Sequence, residues 1–170
     1  METKRIYVDH SATTPIKKCV LDAMLPYFEK DFGNASTVYA EGRQAKAAIT
    51  EAREKVAKAI GASADEIYFT GSGTEADNWA IRSVAHMNRA KGNHIITTAV
   101  EHHAVLHTCE DLEKEGFEIT YLPVDNFGMV SAEDVKNAIT DKTILITIMT
   151  ANNEIGTIMP IAEIGKIAKD

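Results

Sequence analysis

The run Ile67-Tyr-Phe-Thr-Gly-Ser-Gly-Thr-Glu-Ala-Asp-Asn78 decides the fold class. A short apolar stretch of strand type meets a glycine-rich turn, and the turn opens a helical pattern that carries Trp79, Ile81, Val84 and Ala85 and stops at Gly92. The rhythm then repeats. His94 to Val100 reads as a second strand, His103 to Glu115 as a helix ended by Gly116, and Phe117 to Val124 as a third strand. Ser131-Ala-Glu-Asp134 caps a helix reaching Ile139, Thr143 to Met149 is a fourth strand, and Pro160 starts a last helix. Continuous Val/Ile-rich strands alternating with amphipathic helices predict an α/β fold, a mostly parallel sheet flanked by helices.

Upstream of this run the pattern is helical. Thr14 before Pro15 predicts a helix start, and Ile16, Val20, Leu21, Met24, Leu25 and Phe28 recur at helical spacing until Pro26 ends or bends the segment. A long helix is predicted from about Val38 to Ile60 with Gly61 closing it. Its apolar stripe is Ala45, Ala48, Ile49, Ala52, Val56, Ala59 and Ile60, and Glu51 to Lys55 and Glu54 to Lys58 are ion pairs on the wet side.

Composition sets the outer limits. The 170 residues are 45% hydrophobic and 25% charged, the proportions of a folded globular domain. Twenty-five acidic against 18 basic residues give a net charge of −7, which argues against a nucleic-acid backbone as partner. The first residues mix charges and lack the apolar core of a signal peptide, and stretches such as Ile144 to Met149 are far too short to span a membrane. Cys19 and Cys109, the two cysteines, fall in helical patterns and read as reduced, small buried hydrophobes of a cytoplasmic protein.

In an open α/β sheet, ligands gather beyond the carboxyl ends of the strands. Three strand ends deliver chemistry there: Gly71-Ser-Gly73-Thr74-Glu75, Glu101-His102-His103, and Thr150-Ala-Asn-Asn153-Glu154. The first suits a phosphate, because a helix N-terminus offers free N–H groups and the positive end of its dipole, and Thr74 adds a hydroxyl. His102 offers an aromatic base, and the two asparagines could hold a polar ring substituent or merely satisfy a turn. His103, His107 and Cys109 make a metal site conceivable without completing a ligand set, while His10, His86 and His94 read as surface or packing residues. Gly71-x-Gly73-x-x-Ala76 with Glu101 at the next strand end also fits a dinucleotide fingerprint. The helix-rich residues ahead of it are foreign to that pattern.

Taken together, Tyr7-Val-Asp-His-Ser-Ala-Thr-Thr-Pro15, Phe32-Gly-Asn34, Phe69-Thr-Gly-Ser-Gly-Thr-Glu-Ala-Asp-Asn78, Glu101-His-His-Ala-Val-Leu106 and Asn152-Asn-Glu-Ile-Gly156 closely resemble the cysteine desulfurases of the NifS/IscS type, pyridoxal-phosphate enzymes related to class V aminotransferases. The resemblance runs from Ile6 to the last residue. It implies the large domain of the PLP-dependent transferase fold (fold type I), with residues 1–14 as an N-terminal arm and 15–170 as the N-terminal part of the cofactor-binding domain. It implies pyridoxal 5'-phosphate as cofactor, with Gly73 and Thr74 on its phosphate, His102 stacked on its ring and moving protons, and Asn153 on its ring hydroxyl. Gly73 stands where many relatives carry alanine, which should change little because the amide matters. L-cysteine is the implied substrate, L-alanine the product, and an iron–sulfur scaffold or other sulfur acceptor the partner of an expected homodimer. A selenocysteine lyase is the near neighbour.

The same resemblance places the cofactor-binding lysine, the aspartate on the pyridine nitrogen and the sulfur-accepting cysteine beyond Asp170. No lysine here follows a Ser/Gly-His context, and neither Cys19 nor Cys109 matches the nucleophile. The chain is therefore expected to be an incomplete large domain, inactive alone. It would need the C-terminal half of a split desulfurase, or self-association, to cover strand edges left unpaired. A non-catalytic regulatory partner is the expectation of a different class.

Overall fold

The computed structural model describes residues 5–169, so the first four residues of the expected N-terminal arm lie outside the described residues. It divides into two compact units, one ending at Phe69 and one beginning at Thr70.

The first unit is helical. Residues 5–17 form neither helix nor strand, and Asp9 Oδ1 accepts from the Ser11 hydroxyl and the Ala12 N–H to shape a turn. Helix α1 spans Lys18–Glu29, three residues later than the Thr14-Pro15 start predicted from sequence, and no side chain caps it. Pro26 lies inside α1 rather than ending it. The turn survives because the carbonyl of Pro26 still accepts from the Lys30 and Asp31 N–H groups. The apolar periodicity makes the helix but does not bury it: Val20, Leu21, Met24, Leu25 and Phe28 are exposed, and Cys19, expected to be buried, is exposed with them.

Helix α2 spans Ala40–Ile60. Gly61 ends it at φ 71°, a left-handed conformation that costs glycine nothing and a branched residue a great deal. Of the predicted stripe only Ala45 is buried, together with Gly42 and Ala57, while Ile49, Val56 and Ile60 remain exposed. Glu51 and Lys55 form the expected i,i+4 pair at 2.6 Å. A 3₁₀ turn over Ala64–Glu66 follows, closed by a reciprocal capping box between Ser63 and Glu66.

The predicted first strand, Ile67 to Thr70, is not a strand. Ile67 has extended backbone, but a strand exists only where a ladder satisfies the N–H and C=O groups. Here the Ile67 carbonyl accepts instead from the Arg53 guanidinium, which also lies 5.1 Å from the Phe69 ring centroid.

The second unit is the α/β body. Its elements run α3 (Gly73–Asn88), β1 (His94–Thr98), α4 (His103–Lys114), β2 (Glu118–Leu122), α5 (Ala132–Ala138), β3 (Thr143–Ile146) and α6 (Ile161–Ile167). The strands form one parallel sheet in the order β2-β1-β3, as the strand–helix alternation predicts. Five-residue β1 is buried end to end because it has a strand on each side and a helix layer on each face. On one face Ile95 packs with Ile81 and Ala85 of α3 and with Val105, Cys109 and Leu112 of α4. On the other, Ile96 packs with Val135 of α5, Met159 and Ile164.

His94 ties the three strands at their N-terminal ends. Nδ1 lies 2.7 Å from the Thr143 hydroxyl on β3 and Nε2 lies 2.8 Å from the Thr120 hydroxyl on β2. Gly92 just ahead of it is required by space. A Cβ there would run into the backbone carbonyl of Lys142, the same oxygen that accepts the His94 N–H at 3.0 Å.

Candidate active site

The carboxyl ends of β1 and β3, and the N-termini of α3 and α4, gather the chemistry of the second unit. Helix α3 begins after Ser72, whose hydroxyl accepts the Glu75 N–H at 3.1 Å. Glu75 in turn takes the Gly71 N–H at 2.7 Å, which removes one amide from any anion cradle. The Gly73 and Thr74 N–H groups have no acceptor among the described residues and stand at the positive end of a 16-residue helix. A Cβ on Gly73 would meet nothing within 4 Å, so an alanine would fit there, as the sequence reading holds.

His102 is the N-cap of α4, with Nδ1 accepting the Ala104 N–H at 3.1 Å. In the neutral ring that bond places the proton on Nε2. Asn78 joins the two helix starts. Its Nδ2 donates to the Thr74 carbonyl at 3.0 Å and reaches the Ala104 carbonyl at 3.5 Å. Between them lies a cleft of about 250 Å³ whose walls include Thr74, Asn78, His102, His103, His107 and Thr108. Pockets that enclose a small molecule run to about 300–1,000 Å³, so this cleft is one wall of a site more than an enclosure. Thr74 and His102 are thus brought together. Gly73 stands beside them at the first residue of α3, and Asn153 lies in a different loop.

That loop, after β3, divides its two asparagines between two jobs. Asn152 is buried: its Oδ1 accepts the Glu154 and Ile155 N–H groups, and its Nδ2 donates to the Val100 carbonyl at 3.0 Å. Asn153 is exposed and donates to Glu154 Oε1 at 2.8 Å, so it keeps a side chain that can turn to another acceptor or donor.

Glu101 is the residue whose role was hardest to foresee. The dinucleotide reading makes it a ribose acceptor at a strand end, but its side chain turns inward and the residue is 7% exposed. Oε1 accepts both the Thr98 hydroxyl and the Met149 N–H, each at 2.9 Å. Burial pushes its carboxyl above the ordinary carboxylate value, against the lowering effect of those two bonds. With its carboxylate spent on protein groups and no strand ahead of Gly71, the dinucleotide reading has neither of its supports. An acid placed directly before His102 at the end of an apolar strand is the signal that could have marked it.

His103 and His107 stack at 5.1 Å on one side of α4, but Cys109 is fully buried in the core, so the three do not converge. No group of three metal-ligating side chains occurs among the described residues. Burial also pushes the Cys109 thiol up to about 11, which leaves it protonated and inert at neutral pH. His94 is the packing residue predicted, His86 meets Phe117 edge-on at 5.8 Å, and His10 lies 5.4 Å from Tyr7.

Known proteins share the sequence and the fold of this chain. The aminotransferase class-V family model covers residues 6–170. The chain is 62% identical over 169 residues to the cysteine desulfurase IscS of Methanosarcina thermophila, covering 99% of this chain and 42% of that protein. It is 59% identical over 167 residues to the cysteine desulfurase IscS of Clostridium botulinum, again over 98% of this chain and 42% of the relative. Among solved structures, a NifS-like protein superposes with a TM-score of 0.95 at 40% identity, over 98% of this chain and 46% of the other. SspA in complex with cysteine superposes at 0.92 and 42% identity, over 96% and 47%. The chain spans less than half the length of these relatives. A three-stranded parallel sheet between helix layers and a family match across residues 6–170 make this protein a member of the class-V aminotransferase family.

Proposed function

We propose that this chain supplies the N-terminal part of the pyridoxal 5'-phosphate-binding domain of a cysteine desulfurase, residues 15–170 forming that part and residues 1–14 an arm ahead of it. The observation that carries the reading is that Thr74 and His102 line one cleft at the starts of two adjacent helices. The donor set there fits the group. Two unengaged backbone amides, a threonine hydroxyl and a helix dipole suit the phosphate, an imidazole face suits a heterocycle, and the exposed Asn153 amide suits a ring hydroxyl.

When bound, pyridoxal phosphate draws electron density from the α-carbon of an amino-acid substrate, which makes the bonds to that carbon breakable. The chain's own residues would hold and protect that chemistry. Gly73 and Thr74 anchor the phosphate, Asn153 sets the rotation of the ring, and His102 covers one face. His102 also carries protons: a proton taken up enters at Nδ1, which must then release the Ala104 N–H.

L-cysteine as substrate and L-alanine as product are supported by the names of the relatives and by a similar protein solved with cysteine. Sulfur would pass to a cysteine of the whole enzyme and onward to an iron–sulfur scaffold or another acceptor. Cys109 is not that cysteine, since it has neither exposure nor a thiolate. The 170 residues alone are accordingly expected to release no sulfide from cysteine above background in a methylene-blue assay. We place the assembled enzyme as a homodimer in the cytoplasm. No helix among the described residues is long and apolar enough to cross a membrane.

Titration with pyridoxal 5'-phosphate, followed by its visible absorbance, tests the reading. Thr74→Val keeps the shape and removes one hydrogen bond to a charged group, worth about 1.5–3 kcal/mol, so affinity should fall about tenfold or more. Gly73→Ala keeps the amide in open space and should stay within about threefold of the parent. Equal affinity for the parent and Thr74→Val would remove the phosphate assignment.

A further inference from the structure

Each proposed site residue at the sheet's carboxyl edge has a buried neighbour that reaches into the other's loop. Glu101, directly before His102, accepts the N–H of Met149 in the loop after β3. Asn152, directly before Asn153, donates to the carbonyl of Val100 in the loop after β1. The two bonds cross the same gap in opposite senses. Both side chains are nearly inaccessible to water, and each has a further bond holding it in place. For Glu101 this is the Thr98 hydroxyl at 2.9 Å, and for Asn152 the Glu154 and Ile155 N–H groups at 2.9 and 3.0 Å.

We infer that Glu101 and Asn152 are paired positioning residues, a reciprocal clasp that sets the separation and orientation of His102 and Asn153. The inference rests on the cofactor reading for the purpose of those two residues, but the clasp itself is a property of the chain. Neither member need touch substrate or cofactor. Parallel strands are held together along their length by the ladder, and the ladder between β1 and β3 ends at the pair Ile96 and Ile146. Past that edge one further backbone bond, Thr147 N–H to the Ile96 carbonyl, remains. Beyond it the loops would diverge unless side chains tied them, and a site needs its groups held to within about 0.5 Å. A buried carboxylate is costly to leave without partners, so its bonds to both loops persist or the residue is lost from the interior.

The clasp predicts a coupled response across the gap. The full-length protein containing this chain, labelled on histidine and on asparagine, is examined by NMR with Glu101→Ala, Glu101→Gln and Asn152→Ala. Glu101→Ala should shift the imidazole resonances of His102 and also the side-chain amide of Asn153, although Asn153 lies in the other loop. Asn152→Ala should do the same from the opposite side. Glu101→Gln keeps an acceptor oxygen at Oε1 and should restore the parent positions. Affinity for inorganic phosphate, held at Gly73 and Thr74, should change by less than about twofold in all three, because a hydrogen bond that is kept contributes nothing to the difference. Should Glu101→Ala not fold, Thr98→Val, which loosens the carboxylate without removing it, takes its place with the same expected shifts. Shifts confined to the mutated loop, or Glu101→Gln behaving as Glu101→Ala, would overturn the clasp. Failure of the cofactor reading shows separately, as a parent protein that binds no pyridoxal phosphate while the His102 and Asn153 resonances still shift together in Glu101→Ala and Asn152→Ala.

Discussion

Asparagine at position 102 is expected to leave the fold as stable as the parent while turnover of cysteine to alanine falls by about 10²–10⁴-fold, the range for losing a proton-transferring side chain. The two effects separate because the proposed function gives His102 two tasks. Its Nδ1 caps α4 by accepting the Ala104 N–H, and asparagine is among the best capping residues. Its second task, carrying a proton, is one that an amide cannot perform. His102→Ala removes both and should cost about 1 kcal/mol of stability in addition to the same loss of turnover. Alanine formation by the whole enzyme and thermal unfolding of each variant measure the two quantities independently. Unchanged turnover in His102→Asn would assign the residue to the cap alone.

His94→Ala should lower the unfolding free energy by about 2–4 kcal/mol, because it strands the Thr120 and Thr143 hydroxyls and leaves a cavity where three strands begin. The histidine is 5% exposed. Thr143 Oγ1 already accepts the Thr140 N–H at 2.8 Å, so its own O–H is free to donate to Nδ1, and the ring proton sits on Nε2 toward Thr120. Every partner is satisfied by the neutral ring. Burial holds the imidazole below its ordinary value of 6.5, with the Glu118 carboxylate opposing weakly. The unfolded chain therefore binds the proton more readily than the folded one. Stability from this group is complete above about pH 6.5 and declines as pH falls through that value, by at most about 1.4 kcal/mol per pH unit. Urea unfolding at pH 7.5 and 5.5 should show the parent losing stability on acidification and His94→Ala losing less. A variant with the parent's acid sensitivity would place the titrating group elsewhere.

Much of the second unit was legible because its signals are local. Ser131 caps α5 through a hydroxyl three residues from the N–H it accepts, Gly116 turns the chain after α4 at φ 90°, and strand and helix follow each other at the periods their apolar residues prescribe. Parallel pairing follows from those elements, since consecutive strands joined by helices have no short route to an antiparallel neighbour. The first unit was less legible for the same reason. Periodicity placed α1 and α2 within a few residues, but it cannot say whether a stripe is covered, and most of both stripes stays exposed. Ile67 to Thr70 had the composition of a strand, yet a strand is a relation between two segments.

The sequence by itself determined that this is an α/β chain of the class-V aminotransferase family, and it placed a glycine-rich helix start, His102 and the Asn152-Asn153 pair at the ends of its segments. Those are properties of residue order, set by caps, turns and apolar spacing. Only the tertiary structure decided which polar groups are spent on the fold. It turned the Glu101 carboxylate inward to a backbone 48 residues away, tied Asn152 to Val100 across 52 residues, and left Asn153 exposed with its amide on the adjacent Glu154. The physical reason is desolvation: a polar side chain is committed to the interior only when folding removes its water and supplies a partner, and that partner is seldom a neighbour in sequence.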